Sequence, residues 1–354
     1  MAATRKPVKR GHLVAVPPPP SSEAGTPLAP PPVEIAASVE SPSSLQQVPL
    51  LPESPSGSFL WRVRGIVRTL RPHQWVKNLF VLAPVVFAKE LTHASVIVPA
   101  VSAFVVFCML AGAVYTLNDL VDVESDRRHP VKRKRPIASG CVPVPLAKVM
   151  AGVLAVGALG GALFLPTRFF FVACAYYALN LAYSFRLKKI AYVDVACLAA
   201  MFCFRVLAGG FATHTHVSFY MIACTALLSL FLGFGKRRHE LAAMHPGKTR
   251  SSLEAYTPAA LTAALAVTGV ATVANYVAYT LDPEIQHFFG TRWLPITTVH
   301  TVFGVVRFLQ LVAGRPKAES PTQEMLRDVP FVLNLVLWVL EVIAFLYNVR
   351  LSAT

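Results

Sequence analysis

The sequence is short of charge, and the charge it has is lopsided. Of 354 residues only 14% are charged, with 33 Lys and Arg against 18 Asp and Glu. A soluble domain is about a quarter charged, so the composition excludes an ordinary water-soluble fold. Six cysteines (Cys108, Cys141, Cys174, Cys197, Cys203 and Cys224) include no CxxC pair, and all but Cys141 fall in apolar runs. That excludes a cysteine zinc site or a disulfide framework and leaves them as small buried hydrophobes. No G-x-S-x-G, P-loop or dinucleotide fingerprint occurs, and no Ser-His or Cys-His arrangement signals a covalent nucleophile. The N-terminal region also lacks the continuous apolar stretch of a signal peptide.

Hydrophobicity is abundant instead. Apolar residues make up 55% of the chain, and the mean hydropathy is +0.54. They come in runs of about 18 to 25, the length that spans a bilayer as helix. The pattern predicts an all-α polytopic membrane protein with nine spans, near 79–93, 96–117, 144–165, 168–186, 191–212, 217–235, 259–281, 293–312 and 329–349. The third carries Gly157-x-x-x-Gly161, a spacing that lets helices approach closely.

Residues 1–57 stand apart. They hold 13 of the 28 prolines, a composition that cannot bury a core and predicts a disordered tail before a membrane domain over 58–354. WRVRGIVRTLRPHQWVKN, Trp61–Asn78, then alternates basic, aromatic and apolar residues and reads as an amphipathic helix at the membrane surface.

The net charge of +15 points to loops rather than to nucleic acid. One alternating set of loops carries 22 Lys and Arg and the other carries 4. By the positive-inside rule the N-terminus is cytoplasmic, the C-terminus is outside, and the basic loops face the cytoplasm across the inner (plasma) membrane.

Three polar clusters lie on that predicted cytoplasmic side. The first is NDLVDVESDRRHPVKRKRPIASG, Asn118–Gly140. On a helix Asn118, Asp122 and Asp126 share one stripe, with Asp119 beside it. Oxygen ligands of this kind suit Mg²⁺ held jointly with substrate phosphates; the other reading is a solvated loop neutralised by Arg127, Arg128 and their neighbours. Arg135 and the adjacent cations either reach phosphate oxygens or serve as topology signals. The second cluster is Tyr183-Ser-Phe-Arg-Leu-Lys188-Lys189 with Asp194 just inside an apolar run, where a carboxylate is expensive. An ion pair with Lys188 or Lys189 would explain Asp194 without a substrate. The third is Gly235-Lys236-Arg237-Arg238-His239-Glu240. Together they suit the grip of a phosphorylated substrate through metal and cations. Arg205, Arg307 and Glu341 lie within spans and either pair across helices or face a cavity. His214-x-His216 offers two ligands, too few for a metal site.

N-D-x-x-D-x-x-x-D followed by basic residues and R-P-I-A-S-G resembles the first aspartate-rich motif of the UbiA superfamily of intramembrane prenyltransferases, over roughly residues 65–350. The resemblance implies a nine-helix UbiA-like bundle, a cytosol-facing site, and Mg²⁺-bound diphosphate on Asp119, Asp122 and Asp126. Arg71-Pro-His-Gln-Trp-Val-Lys77-Asn78, Tyr183–Lys188, Gly235–Glu240 and Pro321–Asp328 resemble its decaprenyl-phosphate phosphoribosyltransferase branch. That implies transfer of a 5-phosphoribosyl group from phosphoribosyl diphosphate to a polyprenyl phosphate, releasing diphosphate, as a step toward glycan precursors. On this reading Lys77, Lys188, Lys236 and Arg237 take the diphosphate and the 5-phosphate. Asn118 takes a metal water or a phosphate oxygen, Asp194 a ribose hydroxyl or a second metal, and Asn78, Arg135, Tyr183 and Glu240 complete the binding set. Asp194 stands alone where many superfamily members carry a second acidic motif, which weakens prenyl transfer to an aromatic acceptor, the first alternative. An anion or lipid transporter, the second, is disfavoured because no internal repeat is evident. Oligomeric state is left open, a homo-oligomer included.

Overall fold

The computed structural model describes residues 59–90, 93–242, 253–314, 324–325 and 327–348; the predicted tail over 1–57 and half of the Pro321–Asp328 stretch lie outside them. Every regular element among the described residues is helical. In chain order these are α1 (Phe59–Leu70), a 3-10 segment (Pro72–Val81), α2 (Ala83–Phe87), α3 (Ala94–Val121), α4 (Val123–Arg128), α5 (Val144–Ala162), α6 (Thr167–Phe185) and α7 (Val193–Thr213). There follow α8 (Phe219–Ala242), α9 (Pro258–Leu281), α10 (Pro283–Phe289), α11 (Thr298–Gly314) and α12 (Val329–Asn348).

Six helical stretches among the described residues are long and apolar enough to cross a membrane: α3, α5, α7, α8, α9, and Leu294–Gly314, which contains α11. Helices α6 and α12 coincide with two more predicted spans. The first predicted span, 79–93, is not a crossing helix. Its residues are divided between the 3-10 segment and the five-residue α2, and Lys89 at φ 61° turns the chain away. The Lys89 ammonium donates to the carbonyls of Phe288 and Phe289 at 3.2 and 3.5 Å and sits over both rings, so the charge that interrupts the span is held in the fold.

At 1.5 Å per residue, the 28 residues of α3 are about 42 Å long against a hydrocarbon core of about 30 Å. The apolar part of α3 can therefore span while Asn118 and Asp119 project beyond it. Helices α3, α5, α6 and α7 pack around Phe107, Leu110, Phe169, Ala173 and Tyr176, with the Phe107 ring 4.6 Å from that of Tyr176 and 6.1 Å from that of Phe169. A second cluster, Phe231, Leu265, Phe308 and Val312, joins α8, α9 and α11. Valines 149, 153 and 156 of α5 are exposed, as expected for a helix whose outer face meets lipid.

Between helices in lipid the driving force is packing, and small residues set how closely backbones approach. Gly157 meets the Met109 methyl of α3, in line with the G-x-x-x-G reading. The tightest contact is at Gly209 of α7, where an added Cβ would stand 1.8 Å from the Val81 carbonyl oxygen. This contact docks the 3-10 segment onto α7. Gly209→Ala should therefore destabilise the protein by about 1–3 kcal/mol through overpacking. Gly152→Ala, where no atom lies within 4 Å, should be neutral or slightly stabilising. Thermal unfolding of both variants in detergent checks the contrast.

Candidate active site

The helix of α3 runs on into α4 almost without a break. The Asp122 N–H still donates to the Asn118 carbonyl at 3.0 Å and the Asp126 N–H to the Asp122 carbonyl at 2.8 Å. The predicted helical geometry of the acidic stripe is therefore present, but its members divide differently. Asp119 and Asp126, two turns apart, converge on one guanidinium: Arg135 Nη1 lies 3.2 Å from Asp119 Oδ1 and 2.7 Å from Asp126 Oδ2. Arg71 Nη2 adds a contact to Asp119 Oδ1 at 2.6 Å and stacks over Tyr115 at 5.1 Å. Asp122 makes no side-chain hydrogen bond or ion pair with a described residue. Among the described residues no three acidic, His or Cys side chains stand close enough to share an ion. The three aspartates expected to hold a cation thus share one helical stripe without being gathered to a single point. Arg135, expected to touch substrate, bridges two carboxylates in this structure.

Arg71 has φ 51°, a left-handed conformation that costs a non-glycine residue about 1–3 kcal/mol. It immediately precedes Pro72, whose ring disfavours the right-handed helical region for its predecessor. The turn swings the guanidinium back to Asp119 and starts the segment that carries Lys77 and Asn78.

Beside the stripe lies a cavity of about 290 Å³ whose lining includes Lys77, Asn118, Tyr183, Lys188 and Arg205. Three cations face it, and among the described residues no carboxylate lines it. Lys77 is open to water through the cleft yet has protein on most sides. Burial, then the charges of Arg205, Lys236 and Arg71, pushes its pKa down to about 8. Arg205 projects from the spanning helix α7. Its Nε donates to Asn78 Oδ1 at 2.9 Å, Nη1 to the Met201 carbonyl at 2.9 Å, and Nη2 to the Tyr176 hydroxyl at 2.7 Å. Asn78 also donates to Cys108 Sγ at 3.3 Å and is fully buried, so it orients Arg205 and presents no atom to the cavity.

Asp194 and Arg237 form the deepest charge pair, 0% and 1% exposed, with Arg237 Nε 2.7 Å from Asp194 Oδ2. Tyr256 donates to Asp194 Oδ1 at 2.7 Å and accepts the Tyr192 N–H at 2.6 Å. Burial, reinforced by that bond to a carboxylate, raises the Tyr256 pKa. Arg237 also pairs with Glu240, which lies 3.9 Å from Lys236. Neither Asp194 nor Arg237 lines the cavity. Each neutralises the other, because an isolated charge there could not remain buried. The partner of Asp194 is Arg237, not Lys188 or Lys189.

Thus Lys77, Asn118, Tyr183 and Lys188 share the cavity, Asp119, Asp122 and Asp126 form its acidic neighbour, and Asn78, Asp194, Arg237 and Glu240 support it. Arg71, Arg205 and Tyr256 were not among the predicted binding residues. Arg71 opens a quoted motif and Arg205 is a lone cation in an apolar run, whereas Tyr256 carries no sequence signal. Arg307 and Glu341 are accounted for elsewhere, in pairs with Asp328 at 2.7 Å and His300 at 3.1 Å.

Removing one member of a buried pair strands the other. Asp194→Ala should cost about 3–5 kcal/mol of stability, and Asp194→Ala with Arg237→Met should recover part of it. Unfolding midpoints of the two variants in detergent provide the check.

Residues 79–238 match the UbiA prenyltransferase family. The decaprenyl-phosphate phosphoribosyltransferase of Mycolicibacterium smegmatis is 34% identical over 297 residues, covering 80% of this chain and 93% of its own. That of Mycobacterium tuberculosis is 36% identical over 286 residues, covering 79% and 93%. A solved structure of a UbiA homolog from Archaeoglobus fulgidus bound to DMAPP and Mg²⁺ superposes with a TM-score of 0.60 at 19% identity, covering 80% of this chain and 98% of that one. The apo UbiA homolog from Aeropyrum pernix K1 gives 0.55 at 16% identity, covering 79% and 98%. With an aspartate-bearing helix end beside a cationic cavity, and relatives that match over four-fifths of its length, the chain is a membrane transferase belonging to the UbiA prenyltransferase family.

Proposed function

We propose that this protein transfers a 5-phosphoribosyl group from phosphoribosyl diphosphate to a polyprenyl phosphate, at the cytoplasmic end of the bundle and with a divalent cation. The observation that carries the reading is the small cavity lined by Lys77, Lys188 and Arg205, with no carboxylate among the described residues of its lining, opening beside the acidic stripe. Its volume, about 290 Å³, is at the lower end of ligand sites, which begin near ~300 Å³. A cavity of this size with three cations in its wall suits a sugar phosphate. A separate recess of about 290 Å³, lined by Phe80, Phe87, Met221, Leu228, Leu335 and Trp338 among others, suits the apolar tail. The relatives' name supports the same donor and acceptor.

The acidic stripe fits a hard divalent cation. Asp119 and Asp126 already aim oxygens at a single cationic nitrogen, and Asp122 and Asn118 have unengaged oxygens nearby. Mg²⁺ usually takes one or two carboxylates and completes its shell with substrate phosphates and water. Bound there, it would supply Lewis-acid stabilisation of the leaving diphosphate. Release of Arg71 and Arg135 from the carboxylates would turn two guanidiniums toward phosphate oxygens. Lys77 and Lys188 would hold the donor, and Tyr183 would offer its hydroxyl to the ribose. The bond from C1 to the diphosphate oxygen breaks as a phosphate oxygen of the acceptor bonds to C1. The acceptor is anionic already, so no general base is needed.

A membrane assay with labelled phosphoribosyl diphosphate and polyprenyl phosphate tests the reading. Lipid-extractable product that disappears with EDTA is expected. Prenyl transfer to an aromatic acid instead would assign the protein to another activity. Asp122→Ala should lower turnover at least about 100-fold, the scale of a lost electrostatic contact to the transition state. Because the Asp122 side chain has no partner among the described residues, the variant's unfolding midpoint should stay unchanged; retained turnover would exclude Asp122 from the site.

Lys77 adds a pH signature. It is charged below about pH 8 and loses its proton above, so KM for an anionic donor should rise as pH passes 8. Lys77→Arg should flatten that rise, which a KM–pH profile of both proteins would show.

A further inference from the structure

Arg205 is the least explained charge in the molecule. It lies on a spanning helix, is only 6% exposed, and has no carboxylate within ion-pair distance among the described residues. Its three protein acceptors, Asn78 Oδ1, the Met201 carbonyl and the Tyr176 hydroxyl, are all neutral. The rings of Tyr176 and Phe202 lie 4.8 and 5.1 Å from its guanidinium carbon. A guanidinium has five N–H donors, so one on Nη1 and one on Nη2 remain, and the residue lines the cation-rich cavity. Other buried arginines at this end are matched: Arg237 by Asp194 and Glu240. A buried cation held rigidly by neutral groups, with two donors left and a cavity in front of it, is built to receive an anion.

We infer that Arg205 is the specificity-determining contact for the 5-phosphate of the donor, a phosphate monoester seated in the cavity without metal. The inference rests on the proposed phosphoribosyl transfer and extends it to the end of the donor that does not react. Three observations assign this end of the donor to the cavity. Among the described residues, carboxylates, which a diphosphate–metal unit requires, are gathered on the acidic stripe and absent from the cavity lining. Asn118 belongs to both regions, so a ligand can extend from one to the other. The cavity is cationic, and the mostly apolar recess lies among different residues, which assigns the cavity to the sugar's monoester and the recess to the lipid. Binding energy gathered at this remote phosphate would orient C1 against the acceptor.

The test compares wild type, Arg205→Gln and Arg205→Lys with two donors, phosphoribosyl diphosphate and ribose 1-diphosphate lacking the 5-phosphate. Wild type must first give lipid-linked product from phosphoribosyl diphosphate; if it gives none, the underlying reaction is overturned before any variant is compared. With product, Arg205→Gln should raise KM for the phosphorylated donor about 100-fold, the scale of truncating a buried charge contact. It should leave KM for the acceptor unchanged and have little effect with the shorter donor. Equal losses with both donors, or a shift in the acceptor's KM instead, overturn the inference while leaving the reaction intact. Should Arg205→Gln fail to fold, wild type and Arg205→Lys decide the matter by calorimetry with ribose 5-phosphate in EDTA. Metal-independent binding that weakens at least about tenfold in the lysine variant, which loses the planar fork, supports the inference. No binding to wild type, or equal binding to both, overturns it.

Discussion

The charged end of this bundle depends on one buried ion pair. Asp194 at the start of α7 and Arg237 near the end of α8 meet at 2.7 Å with almost no exposure. Neither charge could stay there alone, because desolvation of a single ion costs several kcal/mol. The pair fixes the mouth ends of two spanning helices against each other, and the Tyr256 hydroxyl fastens the loop before α9 to the same carboxylate. Tyr192, with φ 63°, directs its N–H to that hydroxyl. The strained backbone at the entry to α7 is thus held by the same network that neutralises the charge.

The same rule explains the division of labour around the cavity. Where cation and carboxylate meet, as in Asp119 and Asp126 with Arg71 and Arg135, they form walls. Where cations meet neutral acceptors, as at Arg205, they leave net positive potential facing open space. Helix α3 makes this layout possible by its length, since it holds Phe107 and Leu110 in the apolar core and still carries Asn118 past the end of it. Gly209 brings the segment with Lys77 and Asn78 against α7, so the cations from two distant parts of the sequence are set by one backbone contact.

Much of this was legible in the sequence because the bilayer enforces simple rules. Spanning length identified the long helices, and i, i+4 spacing placed Asp122 and Asp126 on a helical stripe that does continue past α3. The first predicted span failed because hydropathy is blind to backbone direction: Pro84 and Lys89 interrupt it, and Lys89 is satisfied by carbonyls two hundred residues away. Pairing was equally hidden. Charge counting shows that Asp194 needs a cation, but Lys188, Lys189 and Arg237 are all plausible from composition, and only the packing of α7 on α8 selects Arg237. Tyr256 is invisible for the same reason, being one tyrosine of ten with no motif around it.

The cavity's potential also accounts for how an anion would be retained so close to apolar helices. Lys77 holds its proton less tightly because protein surrounds it and Arg205, Lys236 and Arg71 repel it. An arriving phosphate relieves that repulsion for every cation at once, so its binding should draw Lys77 back to full protonation. The repulsion is present only while the cations lack an anionic partner, and it is largest for a ligand that reaches Lys77 and Arg205 together. A dianionic monoester that enters the cavity meets both conditions. A neutral sugar meets neither, and a metal-masked diphosphate, whose charge is already offset, gains less. On the proposed reading, selectivity for a phosphorylated end would follow from a lining that holds no carboxylate among the described residues, even though the acidic stripe lies alongside it.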